Sequence, residues 1–454
     1  MNAPLVLAGA PTVRGSALLG VLPRLLRDPL ALYTEASGMG DVVRLRLPFG
    51  PAYLVSSPEL IQDVLQKRAK LFQRPPLLRR VLKNLGGDNL MTREGDAWLS
   101  RRRLMQPSVQ RAEVAALAEV VLDAIDAALD GWQASEEREV CMRALLVALT
   151  REVVARTLLG VSLLLFPELG TAFATITDFI AYRATTPLAP PLWFPSARNR
   201  EVRAALRYLD TLTQQLLLER GASALSRPDL LSRLLTARDP DTDRGLDEAQ
   251  LRHEIQMLIG AGETTTSEAL SFCFSLLGSH PQVLSGLLDE LQGALGQRRV
   301  AFRDLEKLPL LKQTLDETLR LYPPSYVLGR APTEATRLAG IALRKGSTVL
   351  VSPYALHRDA RFWDSPASFR PERFAPGGES ERVPRYAYIP FGAGPRRCLA
   401  ENLAQVEMML AVARILQRFD LRLPSERSPA LSAGFALGLA QGLRVRVTRR
   451  ASSH

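Results

Sequence analysis

A mainly α-helical fold with a small β-rich part is predicted by three features of the 454-residue sequence. Helical spacing of apolar residues prevails over long stretches, most clearly Glu113 to Leu169, Leu246 to Leu277 and Leu399 to Phe419. Strand-like alternation is confined to Asp41–Val55 and to Leu443–Val447 near the end. No segment recurs with a period of about 20 to 50 residues, which excludes solenoids and propellers. Hydrophobic residues at 46% and charged residues at 23% match ordinary globular usage and argue against disordered, collagen-like and transmembrane classes.

The elements follow in order. The run DVVRLRLPFGPAYLV, Asp41 to Val55, alternates and breaks at Pro48 to Pro51, predicting a hairpin of two short strands. A helix opens near Ser57 and Pro58, with Leu60, Ile61, Val64 and Leu65 on one face. After the helical region from Glu113, the stretch TTPLAPPLWFP, Thr185 to Pro195, carries four prolines and marks an apolar loop between helices.

The longest helix is expected over Leu246–Leu277, with Asp247 and Glu248 in its first turn and Gly278 and Pro281 closing it. Its middle is poor helix material. Gly260 and Gly262 each cost about 1 kcal/mol relative to alanine, and Thr264, Thr265 and Thr266 are β-branched. Two glycines beside three hydroxyls suggest that something approaches the backbone there. Pro309–Leu321 is a further helix, and Ser352 to Pro390 is mostly irregular.

Charge and cysteine usage narrow the function. With 58 Lys and Arg against 47 Asp and Glu, the net charge is +11, and the arginines are spread along the chain. Such a surplus attracts acidic partners, but no nucleic-acid-binding motif accompanies it. Cys141, Cys273 and Cys398 form no CxxC pair, which removes a disulfide framework and a cysteine-rich zinc site and fits a reducing cytoplasm. Pro23, Arg24 and Arg27 interrupt the apolar start before it reaches the roughly 18 residues of a membrane span, so neither an anchor nor a signal peptide is expected.

The chemistry concentrates in FGAGPRRCLA, Phe391 to Ala400. Gly392 and Gly394 permit tight turns, Pro395 stiffens the approach, and Cys398 arrives at a helix start, where N–H groups and the dipole favour a thiolate. Cys141 and Cys273, on apolar helical faces, are read as packing. A thiolate so placed can be a nucleophile or a metal ligand. His253, His280, His357 and His454 show no recognisable arrangement around it, and local zinc ligands are missing. An axial bond to haem iron needs only the one sulfur.

At this point the chain resembles the cytochrome P450 family, haem-thiolate monooxygenases of the soluble bacterial type, over essentially its full length. Four motifs carry the resemblance. The loop FxxGxRxC is matched by Phe391, Gly394, Arg396 and Cys398; ExxR by Glu317 and Arg320; PERF by Pro371 to Phe374; and WxxxR by Trp98 and Arg102. The resemblance implies one haem domain over residues 1–454, with a β-rich portion around 41–56, a helical bulk over 57–419 and C-terminal strands at about 420–449. It implies haem b, iron protoporphyrin IX, lying between the long central helix and the cysteine-loop helix, with Cys398 as its metal ligand. Trp98, Arg102, Arg330 and Arg396 are implied propionate contacts, suited to it because buried carboxylates need guanidinium partners. Phe391 and Ala261 are implied to border the haem, and Glu317, Arg320 and Arg373 to form a structural charge triad.

The sequence departs from the family at two places. Ala400 stands where glycine usually follows the cysteine. The oxygen-activation motif, A/G-G-x-acid-Thr, admits two registers: Gly260 to Thr264, which keeps the acid Glu263, and Ala261 to Thr265, which keeps the Ala-Gly step and the distance to Pro281. The second is favoured. It makes Thr265 the oxygen-side hydroxyl, puts Thr264 in the acid's place, and leaves Glu263 as an outer member about 100° around the helix.

The resemblance implies insertion of one atom of O2 into a small apolar substrate, by hydroxylation or epoxidation of a fatty acid, terpenoid, steroid or polyketide. The implied pocket takes Leu77, Val81 and Leu85, then Phe179, then Leu258 and Ala261 on the long helix, then Tyr326, Val327 and Phe435. Electrons are expected from a ferredoxin or flavodoxin-type donor with its reductase, and the protein is expected to be a cytoplasmic monomer. A haem-thiolate peroxygenase or isomerase, and beyond it a non-catalytic haem sensor, are the alternatives.

Overall fold

The computed structural model describes residues 9–132, 135–162, 166, 168–186, 189–220, 229–424 and 429–450. The chain divides into two compact units, residues 1–79 with 319–398, and residues 80–318 with 399–454. Among the described residues, no helix is long and apolar enough to cross a membrane.

The first unit is built on a five-stranded sheet. In spatial order its strands are Val42–Leu45, Ala52–Val55, Thr348–Val351, Leu328–Pro332 and Phe72–Gln73. The first two form the expected antiparallel hairpin, Val42 opposite Val55 and Leu45 opposite Ala52. Ala52–Val55 then pairs in parallel with Thr348–Val351, which fixes segments almost 300 residues apart side by side. Both faces of this sheet are covered. Val42, Tyr53, Val55, Val349 and Val351 belong to one core with Ile61, Val64 and Leu65. Val43, Leu45, Ala52 and Leu54 belong to another with Leu32, Tyr33 and Ala36. Side chains alternate between faces along a strand, so the two sets interleave in sequence, and Ala52–Val55 is buried at every position.

Ser57 caps the next helix, Pro58–Gln62, accepting the Leu60 N–H at 3.5 Å, and proline occupies the first turn, where its missing N–H costs nothing. The chain continues into a π-helical turn, Asp63–Lys67. That turn matters for the cysteine loop described below.

The second unit is a helical assembly. Its central helix, Glu248–Ser279, is capped by Asp247, which accepts the Gln250 N–H at 2.8 Å while the Gln250 side chain accepts the Asp247 N–H at 3.3 Å. From Thr266 to Leu277 every residue is buried, so this half is a core helix apolar or satisfied all round. It packs against Met142–Leu159, which packs in turn against Arg111–Asp130, and Glu401–Arg418 lies on the latter.

One expectation is corrected here. Helical spacing was expected from Glu113 to Leu169, yet a strand, Ser135–Cys141, separates the two helices. It pairs antiparallel with Arg444–Arg449, which also pairs with Phe419–Arg422. The partner lies some 300 residues away, so local periodicity carries no trace of it.

Glu407, on the helix Glu401–Arg418, is buried, and its Oε1 has no hydrogen-bond partner among the described residues. Burial alone pushes its carboxyl from 4.5 up to about 8. The folded state therefore holds a proton that the unfolded state releases, and stability falls as pH rises between these two values. Urea unfolding at several pH values should show this slope in the parent and a flatter profile in Glu407→Gln; equal slopes would contradict the assignment.

Candidate active site

In the first unit, the loop from Phe391 to Cys398 is closed by its own backbone. The Gly392 N–H donates to the Ile389 carbonyl at 2.9 Å, Arg397 N–H to Gly394 at 3.0 Å, and Cys398 N–H to Phe391 at 2.9 Å. Gly392 and Gly394 have φ of +73° and +71°. At Gly394 a second constraint applies, because any Cβ would collide with the Leu65 carbonyl in the π-helical turn. Glycine is thus demanded by conformation and by space together. Ala400 has φ of −97°, so no left-handed conformation requires the usual glycine there.

Cys398 is exposed at the end of this loop, three residues ahead of the helix Glu401–Arg418. Cysteine is among the most buried residue types, so an exposed thiol at the end of a glycine turn is not a packing residue. Cys273, by contrast, is fully buried, and burial pushes its thiol up to about 12. Among the described residues no group of three His, Cys, Asp or Glu could hold a metal ion. A lone sulfur with arginines nearby in sequence fits a haem, whose iron Cys398 would hold without further protein ligands.

The loop is tied to a buried polar network. Arg320, fully buried, donates to the carbonyls of His357 at 2.6 Å, Pro366 at 2.8 Å and Ser368 at 3.1 Å, with Trp363 packed on its guanidinium at 5.2 Å. His357 Nε2 accepts the Ile389 N–H at 2.9 Å, so its proton sits on Nδ1, 3.2 Å from the Arg320 carbonyl. Burial, then the Arg320 charge, push this imidazole down to about 3, which keeps it neutral. Arg373 is buried too, bonded to the Ser365 carbonyl at 2.9 Å and paired with Glu379. Glu317 is fully buried one helical turn before Arg320. Arg330 is buried on the strand Leu328–Pro332, its Nη1 2.8 Å from the Gly329 carbonyl.

In the second unit, Trp98 and Arg102 lie four residues apart on the helix Gly95–Met105, hence on one face, with Arg102 Nε donating to Gln106 at 3.2 Å. Their neighbour Arg101 is the buried one. It meets Glu254 of the central helix at 3.0 Å, and Glu254 also accepts the Leu90 N–H at 3.1 Å. Burial, opposed by Arg101, pushes the Glu254 carboxyl up to about 7.

The central helix runs unbroken through its two glycines. Each has a packing reason: a Cβ on Gly262 would stand 2.9 Å from Val154, and one on Gly260 3.2 Å from the Phe173 ring. Neighbouring side chains of the second unit thus approach the backbone here, and Gly260 also borders a cavity. Thr265 Oγ1 donates to the Ala261 carbonyl one turn earlier at 2.8 Å. Glu263 is held by Arg151 at 2.8 and 3.2 Å, its own carbonyl accepting from Thr150 at 3.3 Å. It lines neither cavity found along this helix.

An apolar cavity, about 650 Å³ including open solvent, is walled by Leu82, Leu85, Phe173, Ile176, Ile180, Leu209, Met257, Gly260, Ala261 and Phe435. Of the expected pocket residues it takes Leu85, Ala261 and Phe435. Phe179 and Val81 are buried but outside its lining, as is the half-buried Leu258. In the first unit, Leu77 is exposed, and Tyr326 and Val327 pack on the core around Leu32 and Tyr33. Sequence reasoning missed His357, the Arg101–Glu254 pair, and the helix Glu168–Thr185 wall. Its apolar residues Phe173, Ile176 and Ile180 at helical spacing were the available signal.

The comparisons agree with this geometry. The family profile described as cytochrome P450 matches residues 18–442. The chain is 33% identical to the cyclooctat-9-en-7-ol 5-monooxygenase of Streptomyces melanosporofaciens, over 90% of this chain and 89% of that one. It is 32% identical to cyclooctatin synthase of the same organism, over 92% and 90%, and 28% identical to the pentalenene oxygenase of Streptomyces avermitilis, over 94% of each. The chain belongs to the cytochrome P450 family. It is an oxidoreductase, a monooxygenase, with a haem cofactor.

His357 links the Arg320 helix to the loop that ends in the sulfur. Replacing it with alanine strips the Ile389 N–H of its acceptor, at a cost of about 1–3 kcal/mol. Thermal unfolding and haem transfer to apomyoglobin should report a lower Tm and faster haem loss for His357→Ala; parental values for both would show that the link is dispensable.

Proposed function

We propose that this chain hydroxylates or epoxidises a terpenoid, using haem b held by Cys398, with electrons from a separate ferredoxin or flavodoxin-type protein and its reductase. The observation that carries the reading is the apolar cavity against Gly260 and Ala261, the turn of the central helix immediately before Thr264 and Thr265. Its walls are hydrocarbon almost throughout, as a polycyclic terpene requires. Two of the relatives are named as oxygenases of cyclooctat-9-en-7-ol and of pentalenene, which supports the same substrate class.

When bound, haem supplies the activation of O2 that no side chain can provide. The chain's residues do the rest. Cys398 would hold the iron through its thiolate, and Trp98, Arg102, Arg330 and Arg396 would pair the two propionates. Phe391, beside the sulfur, limits water. Glu317, Arg320 and Arg373 hold the scaffold. Thr265 would be the oxygen-side hydroxyl: its proton rests on the Ala261 carbonyl, so it would accept a hydrogen bond on its lone pairs or turn from that carbonyl to donate, with Thr264 as the adjoining hydroxyl in the proton path. Glu263 is committed to Arg151, so its part is structural first and protonic only through water. The basic surplus and exposed Arg397 favour docking of an acidic donor, and the enzyme acts as a cytoplasmic monomer.

One observation favours a second reading, a peroxide-driven oxygenase: threonine stands at the acid position and Glu263, beside it in the chain, is tied to Arg151. Product and peroxide measured per NAD(P)H consumed will separate the two. Thr265→Ala should leak peroxide and lose product severalfold while Glu263→Gln keeps its coupling. Unchanged coupling in Thr265→Ala, or full turnover with peroxide alone, contradicts the first reading. Reduction by the donor should also slow as salt rises; a salt-independent rate excludes electrostatic docking.

A further inference from the structure

A second cavity adjoins the apolar one, sharing Thr177 and Phe435 as walls. It is polar, bordered by Arg143, Asp178, Thr264 and Glu268 and by residues of the hairpin Leu431–Leu439. Glu268, one turn beyond Thr264 on the central helix, is 2% exposed. Its Oε1 takes the Arg143 guanidinium, Nε at 2.8 Å and Nη2 closer still. Its Oε2 is buried with no hydrogen-bond partner among the described residues. A buried carboxylate oxygen left unpaired is costly, and the cost is recovered when a donor reaches it.

Gly438 shows that the carboxylate's seat is built. Its φ is not left-handed, so the backbone makes no demand for glycine. A Cβ there would stand 2.6 Å from Oε2 and 2.8 Å from Oε1. The residue is small because Glu268 lies against it.

We propose that this polar chamber is a binding site for a hydroxyl group carried by an otherwise apolar substrate, the hydroxyl donating to Glu268 Oε2. The chamber favours a donor. The Thr177 hydroxyl spends its proton on the Phe173 and Ala174 carbonyls, at 3.0 and 2.9 Å, and so offers only lone pairs inward. Arg143 already neutralises one carboxylate, so a neutral hydroxyl suits the site without a further charge. The hydrocarbon body then fills the apolar cavity beyond Phe435. In reaction order, the enzyme acts on a terpenoid that an earlier hydroxylation or a water-quenched cyclisation has already made an alcohol. The inference rests on the terpenoid reading above.

The test is equilibrium binding by calorimetry to the haem-loaded protein, using the tricyclic alcohol cedrol, its methyl ether and the parent hydrocarbon cedrane. Cedrol should bind about tenfold tighter than the other two, the size expected of one hydrogen bond to a carboxylate. Glu268→Ala removes the acceptor and Gly438→Ala displaces it; in each, with folding checked by circular dichroism, the three affinities should converge. Equal affinities of the parent for all three compounds would overturn the hydroxyl site and leave the terpenoid reading standing. Failure of all three to bind would overturn both. A preference for cedrol that survives both substitutions would place the hydroxyl elsewhere.

Discussion

The presentation of one sulfur governs this protein. Cys398 stands where it does because the preceding turn passes through two left-handed glycines, and because the second of them lies against the Leu65 carbonyl with no room for a methyl group. The Cys398 N–H to Phe391 bond closes the turn, and His357 holds Ile389 at its other end. A ligand to iron has to be held to a fraction of an ångström, and rigid backbone bonds do this better than a mobile side chain.

The supporting network explains why so many charged groups are buried in the first unit. Arg320 and Arg373 are almost wholly inaccessible, and both bond main-chain carbonyls of the irregular stretch between His357 and Ser368, Arg373 pairing with Glu379 as well. That stretch has little regular structure of its own to absorb those carbonyls. The guanidinium groups take the place of a sheet ladder, and the neutral His357 extends the same arrangement to the cysteine loop.

Much of this was legible in the sequence because it depends on local constraints. Gly392, Gly394 and Cys398 announce their turn, Asp247 and Glu248 the first turn of the central helix, and Pro281 its end. The hairpin at Val42–Val55 followed from alternation alone. What escaped was non-local. The strand Ser135–Cys141 exists through a partner near the C-terminus, and His357 acquires its role from two segments distant in sequence. Gly260 and Gly262 also lie against Phe173 and Val154, a packing reason that the sequence did not reveal, while Gly260 borders the apolar cavity. The apolar cavity takes three of the nine expected pocket residues, since an apolar residue facing a cavity and one facing a core look alike until the helices are placed. Phe179 and Phe173 differ only by phase on their helix.

The central claim is that Cys398 donates a thiolate to haem iron. The reduced, carbon monoxide-bound absorption spectrum of the purified protein measures it directly. The parent should show the red-shifted Soret band of a thiolate-ligated haem, and Cys398→Ser, with haem retained or resupplied, should lose it. A parent that takes up haem without that band, or a serine variant that keeps it, would contradict the account.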